Sequence, residues 1–202
     1  LGVRRQRQMC IRDRPYVISF SLTIILFTSG FVFWKNYTRN SNQTLGDDFT
    51  AAVDLANEDD TDAALLALDR IVDKGSDGYA TIAKMKKASL LIDKGLSDEG
   101  LSIYLDLERN AVDQSFRDIA TILYVLNSMD KIAPETLLKK IEPLENSKVW
   151  QSSALELKAF IFLKNNNKKL AKETFQSILN LKTSPSSLST RARNMVEYLK
   201  EE

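Results

Sequence analysis

Val149–Leu179 reads VWQSSALELKAFIFLKNNNKKLAKETFQSIL. Apolar residues recur at helical spacing on both sides of the triplet Asn165-Asn166-Asn167, with no strand-like alternation. The triplet is a turn former, so the stretch predicts two antiparallel helices, Val149–Lys164 and Lys168–Leu181. Ala159 and Phe162 on the first helix, and Ala171 and Phe175 on the second, each set a small residue ahead of a large one. Small residues let the helices approach closely, and the large ones fill the gap toward a neighbouring pair.

The arrangement returns upstream. Leu45–Asn57 and Ala63–Lys74 form a first pair, joined by a cap-like Asp60-Thr61-Asp62 and stopped at Gly75. Gly78–Lys94 and Asp98–Asn110 form a second, with Gly95 as the stop and Ser97 as the expected cap, although Gly100 departs from a strict capping box. Gln114–Ser128 and Pro134–Leu144 form a third, Pro134 fitting a first helical turn, and Ser187–Lys200 is a final single helix. Gly100 and Tyr104 follow Ala88 and Leu91 in the second pair, as Ala64 and Leu68 follow Ala52 and Leu55 in the first. The implied period is about 36 residues, close to that of the tetratricopeptide repeat. One pair cannot bury its apolar face alone, so stacked pairs build a continuous core and leave a concave surface. The repeats are degenerate. Lys84 stands where the repeat consensus has Trp, and the third pair lacks the small-x3-aromatic element, which keeps a generic antiparallel bundle as the alternative.

Ahead of the repeats, Tyr16–Trp34 (YVISFSLTIILFTSGFVFW) is an uncharged apolar run. About 18 such residues suffice to cross a bilayer as a helix. Trp34, Tyr37, Lys35 and Arg39 resemble an interfacial anchor at its end. A buried core helix and a cleaved signal peptide are the rival readings, the latter weakened because Phe31–Trp34 continues the run beyond the weak cleavage signal Thr28-Ser29-Gly30. The expected organisation is an anchor over residues 15–37, a linker over 38–44 and a repeat domain over 45–202. The fold class expected is all-α, a transmembrane helix followed by a tetratricopeptide-like α-solenoid of about four helix pairs plus a C-terminal helix. Residues 1–14 are set aside: the chain starts at Leu1, and Met9–Arg14 (MCIRDR) resembles the translation of a transposon-end adapter used in sequencing libraries. Setting them aside removes Arg4, Arg5, Arg7, Arg12 and Arg14, the residues from which charge would report orientation, and the single cysteine, Cys10.

Charge and composition narrow the function. The 202 residues contain no histidine, and 28 Lys+Arg balance 27 Asp+Glu. Acidic residues crowd Asp47–Asp77, whereas lysines weight Lys139–Lys172 positive. With no His and no cysteine beyond Cys10, neither a Ser-His or Cys-His pair nor a soft metal site can be assembled. Asp59 and Asp60 sit in a helix-connecting turn without calcium-loop spacing. Basic clusters interleaved with aromatics are missing, which argues against nucleic acid. No catalytic residue, metal ligand or cofactor is expected.

The anchor, GYATIAKMKKASLLIDKG (Gly78–Gly95), SFRDIATILYVL (Ser115–Leu126) and Val149–Leu179 together resemble the bacterial tetratricopeptide-like proteins related to the ancillary subunit of the SecYEG translocon. The resemblance covers roughly residue 15 to the C-terminus. It implies a single-pass protein of the bacterial inner membrane, held in lipid through Tyr16–Trp34, with its repeat domain in the periplasm. The partners it implies are the Sec translocon or a periplasmic chaperone. A scaffold of another envelope assembly complex is the alternative. The concave face expected to meet a protein partner comprises Met85, Ser89 and Ile92 in the second pair, Arg117, Thr121 and Tyr124 in the third, and Glu156, Phe160 and Leu163 in the fourth, the apolar members fitting a core role as well.

Overall fold

A computed structural model describes the backbone of residues 2–75 and 77–200, with side chains from residue 19 onward except 77. The helices are α1 (Gly2–Asn57), α2 (Thr61–Lys74), α3 (Asp77–Asp93), α4 (Ser97–Asn110), α5 (Gln114–Ser128), α6 (Pro134–Ile141), α7 (Gln151–Lys164), α8 (Lys168–Asn180) and α9 (Ser186–Tyr198), with a 3-10 turn at Glu142–Asn146. The chain divides into two compact units, Leu1–Asp48 and Phe49–Glu202.

In the first unit the large apolar side chains of α1 from Phe20 to Tyr37 are exposed. Among the described residues no helix is long and apolar enough to cross a membrane. The expected span starts at Tyr16, but Tyr16, Val17 and Ile18 lie outside the residues whose side chains are described, and Ser19–Trp34 falls short of the roughly 18–20 apolar residues a spanning helix needs. The side chains of the expected scar, residues 1–14, lie outside the description as well. Residues 38–44, expected as a linker, are helical. No Pro or Gly interrupts them, and Thr38 and Thr44 bond back to the carbonyls of Trp34 and Asn40.

The second unit is a stack of helix pairs. Each helix from α2 to α9 packs on the next, and the alternate helices α3, α5, α7 and α9 also touch in succession. That double neighbourhood is how a solenoid joins one repeat to the next. Three of the turns inside pairs have one design. Asp59, Gly95 and Asn166 adopt positive φ (64°, 89° and 55°), and the following N–H returns to the carbonyl five residues back, Asp60 to Leu55, Leu96 to Leu91 and Asn167 to Phe162. This left-handed closure frees the chain to start the second helix at once. Asp60 and Asn167 then cap it, accepting from the N–H groups of Ala63 and Leu170 at 3.2 Å each. The expected cap at Ser97 is displaced: Ser97 is the first residue of α4, and Leu96 precedes it with no side-chain cap.

Most of the small and large positions expected from the sequence are buried inside this unit, although Leu55 and Phe162 are only half-buried. Ala52, Ala64, Ala88, Ala159, Ala171, Leu68 and Phe175 are fully buried, and Tyr104 nearly so. In the third pair, which lacks the small-x3-aromatic element, Leu137 and Ile141 of α6 fill the core instead. Helix α6 stops at Ile141 rather than continuing to Leu144. Pro143 has no N–H to return to the preceding turn and its ring crowds the helix, so the chain tightens into a 3-10 turn. One core joins α3 to α7 around Tyr104, Val125 and Ile161, and a second joins α7, α8 and α9 around Phe175, Ile178 and Val196.

Candidate protein-interaction face

The expected concave residues come from α3, α5 and α7, the helices that also touch one another. Packing divides them. Met85 and Ile92 are half-buried against the central core, and Phe160 and Leu163 against the C-terminal one. Thr121 and Tyr124 are buried. Thr121 Oγ1 donates to the Arg117 carbonyl at 3.0 Å, and Lys140 Nζ stands 5.0 Å from the centre of the Tyr124 ring. Glu156, its side chain 13% exposed, accepts both prongs of the Arg191 guanidinium from α9 at 2.8 and 2.7 Å. Ser89 and Arg117 are half-buried. The Arg117 side chain is oriented by donating to the Ala111 carbonyl at 2.8 Å and to Gln114 Oε1 at 3.3 Å.

Beside Arg117 lies a polar cleft of about 260 Å³, outside the expected set, lined by Ala80, Thr81 and Lys84 of α3 and by Asp106, Leu107, Asn110, Ala111 and Val112. Such a volume is below the roughly 300–1,000 Å³ of a small-molecule pocket and suits a single side chain of a partner. Lys84 Nζ meets Asp106 Oδ2 at 3.1 Å, while Asn110 Nδ2 donates to Asp106 Oδ1 at 2.8 Å. The Asn110 and Lys84 hydrogen bonds hold the Asp106 carboxyl below the usual carboxylate range, against a smaller opposing effect of burial. Any stability it adds is therefore present above about pH 3.9 and lost as the pH falls through the lower folded value. An NMR titration should place Asp106 below the ordinary aspartate value, and Asn110→Ala should move it upward. An unchanged midpoint in that variant would mean the amide does not hold the carboxylate.

Further ion pairs join one repeat to the next. Asp62 pairs with Lys94 and Asp98 with Lys131, 32 and 33 residues apart, Glu108 pairs with Lys140 over 32 residues, and Glu156 pairs with Arg191 over 35. These separations are close to the repeat length; Asp62–Lys94 and Asp98–Lys131 occupy equivalent places in successive pairs, whereas Glu108–Lys140 joins α4 to α6 and Glu156–Arg191 joins α7 to α9. The recurrence of opposite charges at this spacing is the signal the sequence offers for them. The exposed pairs among them, Asp62–Lys94 and Asp98–Lys131, contribute little individually, about 0–1 kcal/mol. Among the described residues no group of three or more His, Cys, Asp or Glu could hold a metal ion.

The family model of the tetratricopeptide repeat-like domain matches residues 15–198. No curated protein and no solved structure matches the chain.

Proposed function

The chain belongs to the tetratricopeptide repeat-like domain family, and from that premise we propose that it is a membrane-tethered protein-interaction module without catalytic activity. The observation that carries the interaction role is the stack itself: alternate helices α3, α5 and α7 touch in succession and present Ser89, Arg117 and the Lys84–Asp106 cleft as partly accessible polar features. A surface built from stacked helix pairs is suited to grip an extended or folded protein partner. The tether is supported by the exposed large apolar side chains of α1 between Phe20 and Trp34. The partner class we favour is the Sec translocon or a periplasmic chaperone, with the repeat domain periplasmic and the anchor in the inner membrane. This choice is supported by the family resemblance of the sequence. A scaffold of another envelope complex would use the same surface.

Co-purification in mild detergent tests the partner. SecY or a membrane-anchored peptidyl-prolyl isomerase in the eluate favours the first reading, and components of outer-membrane assembly or division favour the second. Arg117→Ala should weaken that capture by about 2 kcal/mol, roughly 30-fold, because Arg is a recurrent hot-spot residue. The helical signal and melting temperature should change little in this half-buried position; capture at wild-type strength would remove Arg117 from the interface. Alkaline phosphatase fused after Glu202 should be active if the domain is periplasmic. An inactive phosphatase with a bright cytoplasmic fluorescent fusion would reverse the topology.

A further inference from the structure

Five of the large apolar side chains of α1 form a seam, while Leu22, Ile25, Leu26, Val32 and Phe33 are exposed on its other faces. Phe20, Ile24, Phe27, Phe31 and Trp34 follow one another at alternating spacings of four and three residues, the repeat that aligns side chains along one edge of a helix facing another helix. Four of the five are aromatic, and the five are between 51% and 76% exposed. The hydroxyls around them need no outside partner, since Thr23, Thr28 and Ser29 donate to the carbonyls of Ser19, Ile24 and Ile25 one turn back. What the seam lacks is a complementary surface for its rings.

Area decides what could supply one. An aromatic side chain brings about 150–250 Å² to an interface, so at the observed exposure this seam offers roughly 500–800 Å² on its own side. Two such seams span about 1,000–1,600 Å², a range that includes the roughly 1,200 Å² at which stable specific interfaces begin. A second identical helix supplies an area of that order, and a twofold axis along the seam sets each ring against its counterpart.

We propose that α1 pairs in parallel, seam to seam, with α1 of a second copy of this chain. The parallel sense rests on the tether reading, since two copies anchored with one topology in one membrane run the same way; the opposite face, with Leu22 and Ser29, then meets lipid. In lipid the pairing is driven by side-chain packing rather than by escape from water.

Cysteine cross-linking in native membranes tests this. In a Cys10→Ser background, single cysteines are placed on the seam (Ile24→Cys, Phe31→Cys) and opposite it (Leu22→Cys, Ser29→Cys). A disulfide needs α-carbons within about 7 Å, so the seam positions should yield about tenfold more oxidised dimer than the opposite ones. Equal yields at the four positions, or no dimer at any, would overturn the pairing. Full-length chain without added cysteines should show dimer mass by light scattering in mild detergent, and Phe27→Ala with Phe31→Ala should return it to monomer; a wild-type monomer would also overturn it. Alkaline carbonate extraction reports separately on the tether. Release of the chain would refute the membrane reading, while the cross-linking pattern would still decide the pairing.

Discussion

Phe175→Ala is expected to lower the stability of the repeat unit by about 3–5 kcal/mol. Phe175 is fully buried in α8, its ring meeting that of Phe160 edge-on with centroids 5.4 Å apart and planes at 81°. Ala171, Ile178, Ala192, Val196 and Leu199 complete the surrounding core. Truncation removes the ring from the point where α7, α8 and α9 meet, and backbone anchored on three helices cannot collapse into the space. In a unit of this size the loss corresponds to a fall in melting temperature of roughly 6–20 °C. Stacked repeats interact with their neighbours, so the C-terminal helices should loosen first and denaturant unfolding should lose its single sharp transition. Ala171→Leu, which overpacks the same junction, should cost about 1–3 kcal/mol. A change below about 1 kcal/mol for both variants would place these residues outside the core and overturn the repeat register.

Gly100→Val is expected to destabilise by about 3 kcal/mol or more, and Gly100→Ala to destabilise as well, against the ordinary preference for Ala in a helix. A Cβ at Gly100 would stand 2.5 Å from the Ala88 carbonyl oxygen and 2.6 Å from Ile92 Cγ1. The first of these is backbone of α3, so the two helices must separate. Replacing a helical glycine by Ala ordinarily yields about 0.5–1 kcal/mol, which the overpacking exceeds. Gly78 is the control: a Cβ there meets nothing within 4 Å, so Gly78→Ala should be neutral or slightly stabilising. Chemical denaturation of the three variants decides the matter. A stabilised Gly100→Ala would mean that α3 and α4 do not approach at this point.

The sequence pattern identified Gly100 as a small position but not why glycine in particular stands there. Its equivalents, Ala64 and Ala171, show that the register tolerates a methyl group at other junctions. The closer approach of α3 and α4 depends on where Ala88 and Ile92 lie in space, and helical spacing alone carries no such distance. The interaction face shows the same division. Arg117 and Ser89 were expected on the exposed side of their helices and are half-buried there. Tyr124, on the same stripe as Arg117, is buried with Lys140 over its ring because α6 folds back beside α5. The Lys84–Asp106–Asn110 cleft escaped the sequence reading because its lining comes from two helices and the turn after them.

By itself the sequence determined the helical character, most of the helix boundaries from α2 to α9 to within about two residues, the turns at Gly95 and at Asn165-Asn166-Asn167, the proline-led start of α6 and most of the small-then-large register of the buried positions. Each of these follows from interactions within a few residues or from a periodic pattern, and both are written along the chain. Tertiary structure alone decided which face residues remained accessible, which charges met across repeats, how closely α3 and α4 approached, and where the surface opened into a cleft. Those properties depend on distances between side chains about one repeat apart in the chain, and such distances exist only once the helices have packed.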